Sequence, residues 1–174
     1  RYAKPSAIVS EGDGLRVLTA DHHDFLARVP NESRWARMDM SQAGARLVNA
    51  AELFDTRDAS AMEAVQALQR AGELSAAVDQ CLTAAEEEHS RVVQQRLLAA
   101  AYFGTRASDA GSAPASLSAV CRRIRVLNAL RRPAVGCAIT AFQLEVLSPA
   151  SIADRLSQQL QHDAALRLCQ CLGL

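Results

Sequence analysis

The stretch Leu117–Leu130 reads LSAVCRRIRVLNAL and decides the fold class. Its apolar side chains recur every three or four positions, at Leu117, Val120, Cys121, Ile124 and Leu127, and the last position of this series falls at Leu130 or Arg131. Because an α-helix has about 3.6 residues per turn, this spacing places them in one stripe that faces a core. The arginines between them fall largely outside that stripe. The stretch therefore predicts an amphipathic helix with a basic exposed face, which Arg132-Pro133 is expected to end.

The same helical period continues on both sides of this stretch. Apolar stripes predict helices over residues 40–54, 59–71, 73–87 and 90–103, with residues 55–58 as a polar break and Gly72 as a stop. We expect residues 105–114 to form a surface loop or disordered insertion, and residues 134–147 to form a mixed apolar link. Met40, Phe54, Met62 and Tyr102 are among the residues expected on the buried stripes.

The two last helices are predicted from their caps. Ser148-Pro149 is typical of an N-cap followed by proline at the first helical position. The helix that follows is expected to bury Ile152, Leu156 and Leu160. The final helix is expected to bury Ala165, Leu168, Cys169 and Leu172, and to end at Gly173.

These helices recur about every 15 to 18 residues with short polar joints. Short joints make successive helices antiparallel, so the sequence predicts helix pairs with a period of about 34 residues. No side-chain signature repeats from pair to pair. The predicted fold is therefore mainly α, with an irregular α-solenoid of antiparallel helix pairs over residues 31–174.

Residues 1–30 have a different pattern. The run Ala7–Ser10, the turn residues Glu11-Gly12-Asp13-Gly14 and the alternating run Leu15–Thr19 predict a β-hairpin. A third run, Asp24–Val29, ends at Pro30 and is either a strand or the lead-in to the first helix. Because a single hairpin is marginal in water, we expect these strands to belong to a larger sheet that precedes residue 1.

Composition excludes several classes of protein. The 174 residues are 49% hydrophobic and 22% charged, which is typical of a globular chain and not of a disordered one. Lysine plus arginine and aspartate plus glutamate number 19 each, so no overall field attracts nucleic acid or an anionic membrane. The five cysteines form no Cys-x-x-Cys motif, and no apolar run of 18 or more residues is present. We therefore expect a reducing, cytosolic location.

Two clusters of histidine and aspartate are candidate metal ligands. His22-His23-Asp24 and His162-Asp163 offer the imidazole and carboxylate groups that divalent ions bind. A helical metal-dependent phosphohydrolase using His23, Asp24, His162 and Asp163 is therefore an alternative interpretation. However, one cluster is expected at a strand end and the other at a helix start, without the i, i+4 spacing of a helical zinc site. Surface histidines explain both clusters better.

Two other clusters favour structural roles. Cys169 and Cys171 are about 200° apart on a helix, so we expect one to face the core and the other to face away. Glu86-Glu87-Glu88-His89 is expected at a helix junction, where acids favour the N-terminus of the next helix. Three adjacent carboxylates do not suggest the burial that acid/base catalysis needs. The sequence contains no Gly-x-Ser-x-Gly motif, phosphate-binding loop or dinucleotide fingerprint.

The strongest local charge feature is a basic cluster, Arg122, Arg123, Arg125, Arg131 and Arg132. As a solvated helix face, it would place cations near the negative end of the helix dipole. As a binding site, it would be a docking patch for an acidic surface on a partner protein. Catalytic, cofactor-binding and metal-binding residues are not predicted anywhere in the chain.

The sequence Arg125-Val126-Leu127-Asn128-Ala129-Leu130-Arg131 resembles the vacuolar protein sorting-associated protein 16 family. The likeness continues through Glu11–Leu18, Ala77–Cys81, Leu97–Ala100, Phe103-Gly104 and, further on, Gly136, Thr140, Gln143, Arg155-Leu156 and Leu172-Gly173. It thus covers nearly the whole chain in order. Departures from the family pattern occur at residues 56–70, where the family has a longer charged helical stretch, and at the insertion 105–114.

The resemblance implies a non-catalytic scaffold subunit with a β-propeller followed by an α-solenoid. Residues 1–30 would then be the C-terminal remnant of the propeller. The family helps to build the HOPS and CORVET complexes, which tether endosomes, late endosomes, autophagosomes and vacuoles or lysosomes before fusion. Implied partners are other subunits, including a Sec1/Munc18-like protein bound outside this segment. The expected location is cytoplasmic and peripheral on late endosomes and lysosomes or vacuoles. Another coat-like or adaptor solenoid is the alternative.

Overall fold

The structure is a computed structural model that describes residues 4–11, 14–27, 35, 38–108, 115–132, 134–137 and 139–173. The chain divides into two compact units, residues 1–32 and residues 33–174. The first unit contains three strands and the second contains helices, so the chain is mainly α, as predicted. No helix in the described ranges is both long enough and apolar enough to cross a lipid bilayer.

The first unit is a three-stranded antiparallel sheet. Its strands β1 (Ala7–Glu11), β2 (Gly14–Leu18) and β3 (His23–Ala27) are hydrogen-bonded in the order β1-β2-β3. The predicted hairpin is confirmed, with Ala7 opposite Leu18 and Glu11 opposite Gly14. The third run forms a strand and not the start of a helix, because it pairs along the whole of β2. Val29 and Pro30 lie outside the described residues.

The second unit contains eight described helices. Their bounds are α1 (Ala43–Asp55), α2 (Ser60–Arg70), α3 (Leu74–Glu87), α4 (Arg91–Ala107), α5 (Ala115–Leu130), α6 (Ala141–Val146), α7 (Pro149–Gln158) and α8 (His162–Leu172). Consecutive helices α1 and α2, α3 and α4, and α7 and α8 pack against one another, and α1 also packs against α3 and α4. Helix α5 contacts α3 and α4 on one side of the unit and α8 on the other.

The apolar residues of this unit form two separate cores. The first core joins helices α1 to α4 with the first half of α5, through residues such as Leu47, Val78, Leu97, Val120 and Ile124. The second core joins the second half of α5 with α6, α7 and α8, through Val126, Leu127, Leu130, Leu144, Ile152, Leu156 and Leu168. The stripe that the sequence predicted on α5 therefore divides between two cores.

Among the described residues, three helices end in a Schellman motif, in which a left-handed residue closes the last turn. Gly72 occupies that position after α2 with φ 69°, and its N–H donates to the Gln69 carbonyl at 3.0 Å. The predicted stop at Gly72 is thus confirmed. Arg57 after α1 and Leu160 after α7 occupy the same position with φ 61° and 59°, although neither is glycine. Gly173 also ends α8 as predicted, with φ 73°.

Several predicted buried residues are exposed. Leu160 was expected inside α7 but is 80% exposed, because the helix ends at Gln158 and the chain turns before its side chain reaches the core. Met40 is exposed because α1 begins three residues after it, at Ala43. Phe54, Met62 and Tyr102 are also about half exposed, although the Phe54 ring lies 4.9 Å from the Phe103 ring, centroid to centroid.

Two predicted connections contain helix. Helix α4 continues to Ala107, so the expected loop at 105–114 is wrong at its start, and Thr105 is buried. Residues 109–114 lie outside the described residues. The link at 134–147 contains the short helix α6, which begins with a capping box. Gln143 N–H donates to Thr140 Oγ1 at 3.1 Å, and Thr140 N–H donates to Gln143 Oε1 at 3.0 Å.

Candidate protein interface

The arginines of the predicted patch do not form one surface. Arg122 and Arg125 are exposed on α5, and Arg132 is exposed in the turn after it. Arg123 forms an ion pair with Glu86: its Nε donates to Glu86 Oε1 at 2.7 Å, and its Nη2 lies 2.6 Å from the same oxygen. Arg131 is only partly exposed and binds two backbone carbonyls. Arg122, Arg125 and Arg132 are therefore the patch members that remain without a side-chain partner among the described residues.

Arg131 connects the end of α5 to two other segments. Its Nε donates to the Ile139 carbonyl at 3.0 Å, and its Nη1 donates to the Glu88 carbonyl at 3.3 Å. Burial lowers the pKa of the guanidinium, and the nearby Glu88 carboxylate acts in the opposite direction. The guanidinium stays charged at neutral pH because its ordinary pKa is so high. Arg131 is thus held against the fold by backbone contacts, and it is less accessible than the other members of the predicted docking patch.

Arg131 belongs to a buried polar network at the junction of α3 and α4. The Gln94 side chain is 2% exposed, and its Nε2 donates to the Glu88 carbonyl at 2.7 Å. Asn128 Nδ2 of α5 donates to Gln94 Oε1 at 2.8 Å. Because buried polar groups are costly without partners, these bonds fix how α5 packs against the junction. Asn128 and Arg131, which carry part of the family resemblance, thus have a structural role.

Glu88 is buried, contrary to the expectation for the run Glu86–Glu88. Its side chain is held at the start of α4, where Oε1 accepts hydrogen bonds from the N–H groups of His89 at 2.7 Å and Ser90 at 2.9 Å. A carboxylate at this position satisfies free backbone donors and interacts favourably with the helix dipole. Glu88 is buried because its carboxylate accepts hydrogen bonds at the start of α4, which agrees with the predicted helix junction. A catalytic role is not needed to explain its burial.

A groove of about 570 Å³ lies between the second half of α5 and α8. Its residues come from α5, from α8, from the turn between α7 and α8, and from Arg132, Ala134 and Val135. The apolar lining includes Val126, Ala129, Leu130, Leu160 and Leu168. Gln161 Nε2 donates to the Val135 carbonyl at 3.0 Å and holds the two sides of one end together.

The groove is rimmed mostly by positive charge. Arg125, Arg132 and Arg167 line it, together with His162 and one carboxylate, Asp163. None of the three arginine side chains makes a hydrogen bond or ion pair to another described residue. Sequence reasoning identified Arg125 and Arg132 but missed Arg167, because α8 follows α5 only after more than thirty residues and no local pattern indicates that the two helices meet.

The histidine and aspartate clusters are placed in different units. His22 Nε2 lies 3.2 Å from Asp24 Oδ2, and His23 Nε2 lies 2.7 Å from Arg16 Nη1, all in the three-stranded sheet. His162 and Asp163 start α8 in the helical unit. Among the described residues, no group of three or more His, Cys, Asp and Glu side chains is placed to hold a metal ion.

Both cysteines of α8 contact the second core, although they lie about 200° apart around the helix. Cys169 and Cys171 are both partly buried, and both pack against the second core. The expectation that one of them faces away is wrong, because the core contacts α8 over a wide arc of its surface. Within the described part of the chain the cysteines and histidines form no group that could hold a metal ion, and the groove is the main candidate for binding.

The chain is similar to one family of known proteins. Residues 1–112 match the family model described as Vps16, N-terminal region. The chain is 33% identical over 99% of its length to protein VACUOLELESS1 of Arabidopsis thaliana. It is 28% identical over 98% of its length to the vacuolar protein sorting-associated protein 16 homolog of Dictyostelium discoideum. It is 29% identical over 92% of its length to vacuolar protein sorting-associated protein 16 of Saccharomyces cerevisiae. It spans about 20% of the length of each.

Proposed function

The chain belongs to the Vps16 family, and we propose from this that it is a non-catalytic scaffold segment of an endolysosomal membrane-tethering complex of the HOPS or CORVET type. In that role it contributes to vesicle tethering and to protein transport to the vacuole or lysosome. Its contacts are with other subunits of the complex. A Sec1/Munc18-like subunit would bind elsewhere on the full-length protein. The segment would lie in the cytoplasm and reach late endosomal and lysosomal or vacuolar membranes through the complex.

The observation that carries this proposal is how the helical unit uses its polar groups. Its most buried polar side chains all make hydrogen bonds within the fold: Glu88 binds backbone N–H groups at the start of α4, Gln94 joins α4 to α5, and the Thr105 hydroxyl donates to the Tyr102 carbonyl in α4. The cationic groups that line the groove face solvent and have no described partner. The buried polar groups of this unit thus stabilise its packing, and its surface carries cations without a described partner. Such a surface is suited to binding other macromolecules.

We further propose that residues 1–30 are the end of a β-propeller and residues 31–174 a segment of α-solenoid. The first proposal is supported by the small antiparallel sheet, which leaves Ile8 and Leu26 more than half exposed. A three-stranded sheet with so little buried apolar surface needs further partners to be stable. The second is supported by consecutive helices that pack as pairs around two successive cores.

The function is tested by deletion in cells that lack the endogenous protein. Full-length protein without residues 43–172 should be expressed, should lose co-purification with at least one tethering-complex subunit, and should fail to restore vacuole or lysosome morphology. The matched control is the full-length protein with Arg122→Glu, an exposed change that should restore both. Normal assembly and normal morphology with the deletion would contradict the proposal.

Subcellular location separates this proposal from a coat-like or adaptor solenoid of another pathway. A tagged full-length protein should co-fractionate with late endosomes and lysosomes or vacuoles and should leave them when the other tethering subunits are depleted. Recruitment to a different organelle, independent of those subunits, would favour the alternative.

A further inference from the structure

The groove between α5 and α8 combines an apolar floor with a basic rim. Val126, Leu130 and Leu168 are less than 4% exposed and form the base as part of the second core. Ala129 contributes only a methyl group, which leaves room above it. Space of this size, several hundred Å³, is enough for a few apolar side chains of a ligand.

The rim has cations on more than one side of this floor. Arg125 is on α5, Arg132 is in the turn that follows, and Arg167 is on α8. One carboxylate, Asp163, also lines the groove. Since the arginine side chains have no partner among the described residues, a ligand with carboxylates at its edges would gain charge-assisted hydrogen bonds that the fold does not make.

Leu160 gives a second, independent reason to expect an occupant. It is 80% exposed and lines the groove, yet it holds the left-handed position of the Schellman motif that ends α7. A leucine with positive φ is strained, and glycine would fit that position better. Because the Leu160 side chain is mostly exposed, it adds little apolar burial that would offset this strain. We therefore expect the side chain to contact a ligand in the groove.

We infer that this groove binds an acidic amphipathic helix of a partner protein. The partner's apolar stripe would lie on Val126, Ala129, Leu130 and Leu160, and aspartate or glutamate residues beside that stripe would pair with Arg125, Arg132 and Arg167. A helix lying in a hydrophobic groove through residues at i, i+3, i+4 and i+7 is a common recognition mode. A membrane surface fits less well, because a concave groove holds its apolar floor away from a flat bilayer. This inference rests on the proposed scaffold function and names the chemistry of one partner.

The probe is a designed helical peptide of about 18 residues with leucine at every third or fourth position and glutamate on both flanks. Binding to the purified full-length protein is measured by fluorescence anisotropy. The double variant Arg125→Glu/Arg132→Glu should weaken binding at least about tenfold, and raising the salt concentration should weaken binding to the wild type. Arg122→Glu, on the same helix but outside the groove, should change the affinity less than about twofold.

A pair of glycine variants separates binding from folding. Leu160→Gly and Arg57→Gly both relieve a left-handed residue in a Schellman motif, so each should keep or raise Tm. Leu160→Gly should weaken peptide binding several-fold because it removes an apolar contact. Arg57→Gly should leave binding unchanged. Equal binding by the two variants would contradict the role of Leu160.

The remaining outcomes distinguish the occupants. Vesicles containing phosphatidylserine should not bind with the same dependence on Arg125 and Arg132, and if they do while the peptide does not, the inference is wrong. A peptide with lysine in place of glutamate should not bind. If no acidic peptide binds but the deletion of residues 43–172 still removes a subunit from the complex, the groove inference fails and the scaffold proposal stands.

Discussion

Gly104 allows three helices to approach closely because it has no side chain. It lies on α4, facing Leu47 of α1 and Val78 of α3. A Cβ atom at this position would come within 2.8 Å of Leu47 Cδ2 and of Val78 Cγ2. Glycine lowers helix propensity by about 1 kcal/mol relative to alanine, so its presence in a helix interior is explained by packing.

Gly104→Ala should destabilise the protein by about 1 kcal/mol, since an overpacking cost of about 1–3 kcal/mol exceeds the propensity gain. Gly104→Val should cost more. Urea unfolding followed by circular dichroism measures both. Adding Leu47→Val removes the Cδ atoms and should recover part of the loss in the alanine variant, and full additivity of the two changes would contradict the contact.

Cys81 lies in the first core with no exposed surface, and its Sγ lies 3.5 Å from the Gly44 carbonyl oxygen, to which the thiol donates. Burial raises the pKa of its thiol to about 12, from an ordinary value near 9. The unfolded chain therefore loses this proton before the folded chain does. The corresponding stability is present below pH 9 and is lost as the pH rises from 9 toward 12.

Wild-type protein should therefore lose more unfolding free energy between pH 7.5 and pH 10 than Cys81→Ala does. The measurement is urea unfolding of both proteins at the two pH values. The comparison between proteins removes the contribution of groups that titrate in both. An identical pH dependence would show that the Cys81 thiol is not protected by the fold.

At the scale of one element, α5 shows what a sequence pattern can and cannot predict. Its stripe predicted the buried residues Leu117, Val120, Ile124 and Leu127 correctly. A helix that packs against either core needs apolar residues at the same helical spacing. Periodicity carries no information about which neighbour is contacted, so the division of α5 between two cores was not predictable. Arg122, Arg123 and Arg125 lie outside the stripe, as predicted. The sequence left the last stripe position open between Leu130 and Arg131; Leu130 is buried, and Arg131 is partly buried because it binds carbonyls of distant segments.

Helix ends were harder to predict than helix interiors. The ends with glycine, at Gly72 and Gly173, were correct because glycine takes the left-handed position easily. The same motif at Leu160 was missed because leucine at i+4 from Leu156 is typical of a continuing stripe. Helix α6 was missed although Thr140-Ala141-Phe142-Gln143 fits a capping box, a signal that local inspection could have found.

Leu127→Asp should unfold the second core. Leu127 has no exposed surface, so the substitution would bury an unpaired carboxylate. Burying such a charge costs several kcal/mol, which is a large part of the free energy of unfolding of a typical domain. The loss should appear as reduced helical circular dichroism at 222 nm. Arg122→Asp, which adds the same side chain on the exposed face of α5, should leave the spectrum unchanged, and similar losses in both variants would contradict the assigned faces.

At the scale of the whole helical unit, α5 is shared by the two cores, so we expect them to unfold together. Residues on its first half complete one core and residues on its second half complete the other. The network of Gln94, Asn128 and Arg131 adds polar contacts at the same place. The sequence predicted two of the arginines in the groove, Arg125 and Arg132, but not the groove itself. The groove forms only because α8 lies beside α5, and no local sequence pattern specifies that contact.

Leu168→Ala, a change in the second core alone, should therefore affect both cores. A loss of about 2–5 kcal/mol is expected for a buried leucine. Hydrogen exchange should accelerate in α3 as well as in α7 and α8. If exchange in α3 is unchanged while α7 and α8 lose protection, the cores unfold independently. Phe142→Ala, an exposed change on α6, is the matched control and should alter neither region.

The shared helix also has a mechanical consequence. Tension applied to the chain beyond residue 131 would pass into α5 and be resisted by side chains on both halves of that helix. A pull that extracts α5 must break the two apolar contacts together. We therefore expect forced extension of the helical unit to give one rupture event in place of two smaller ones.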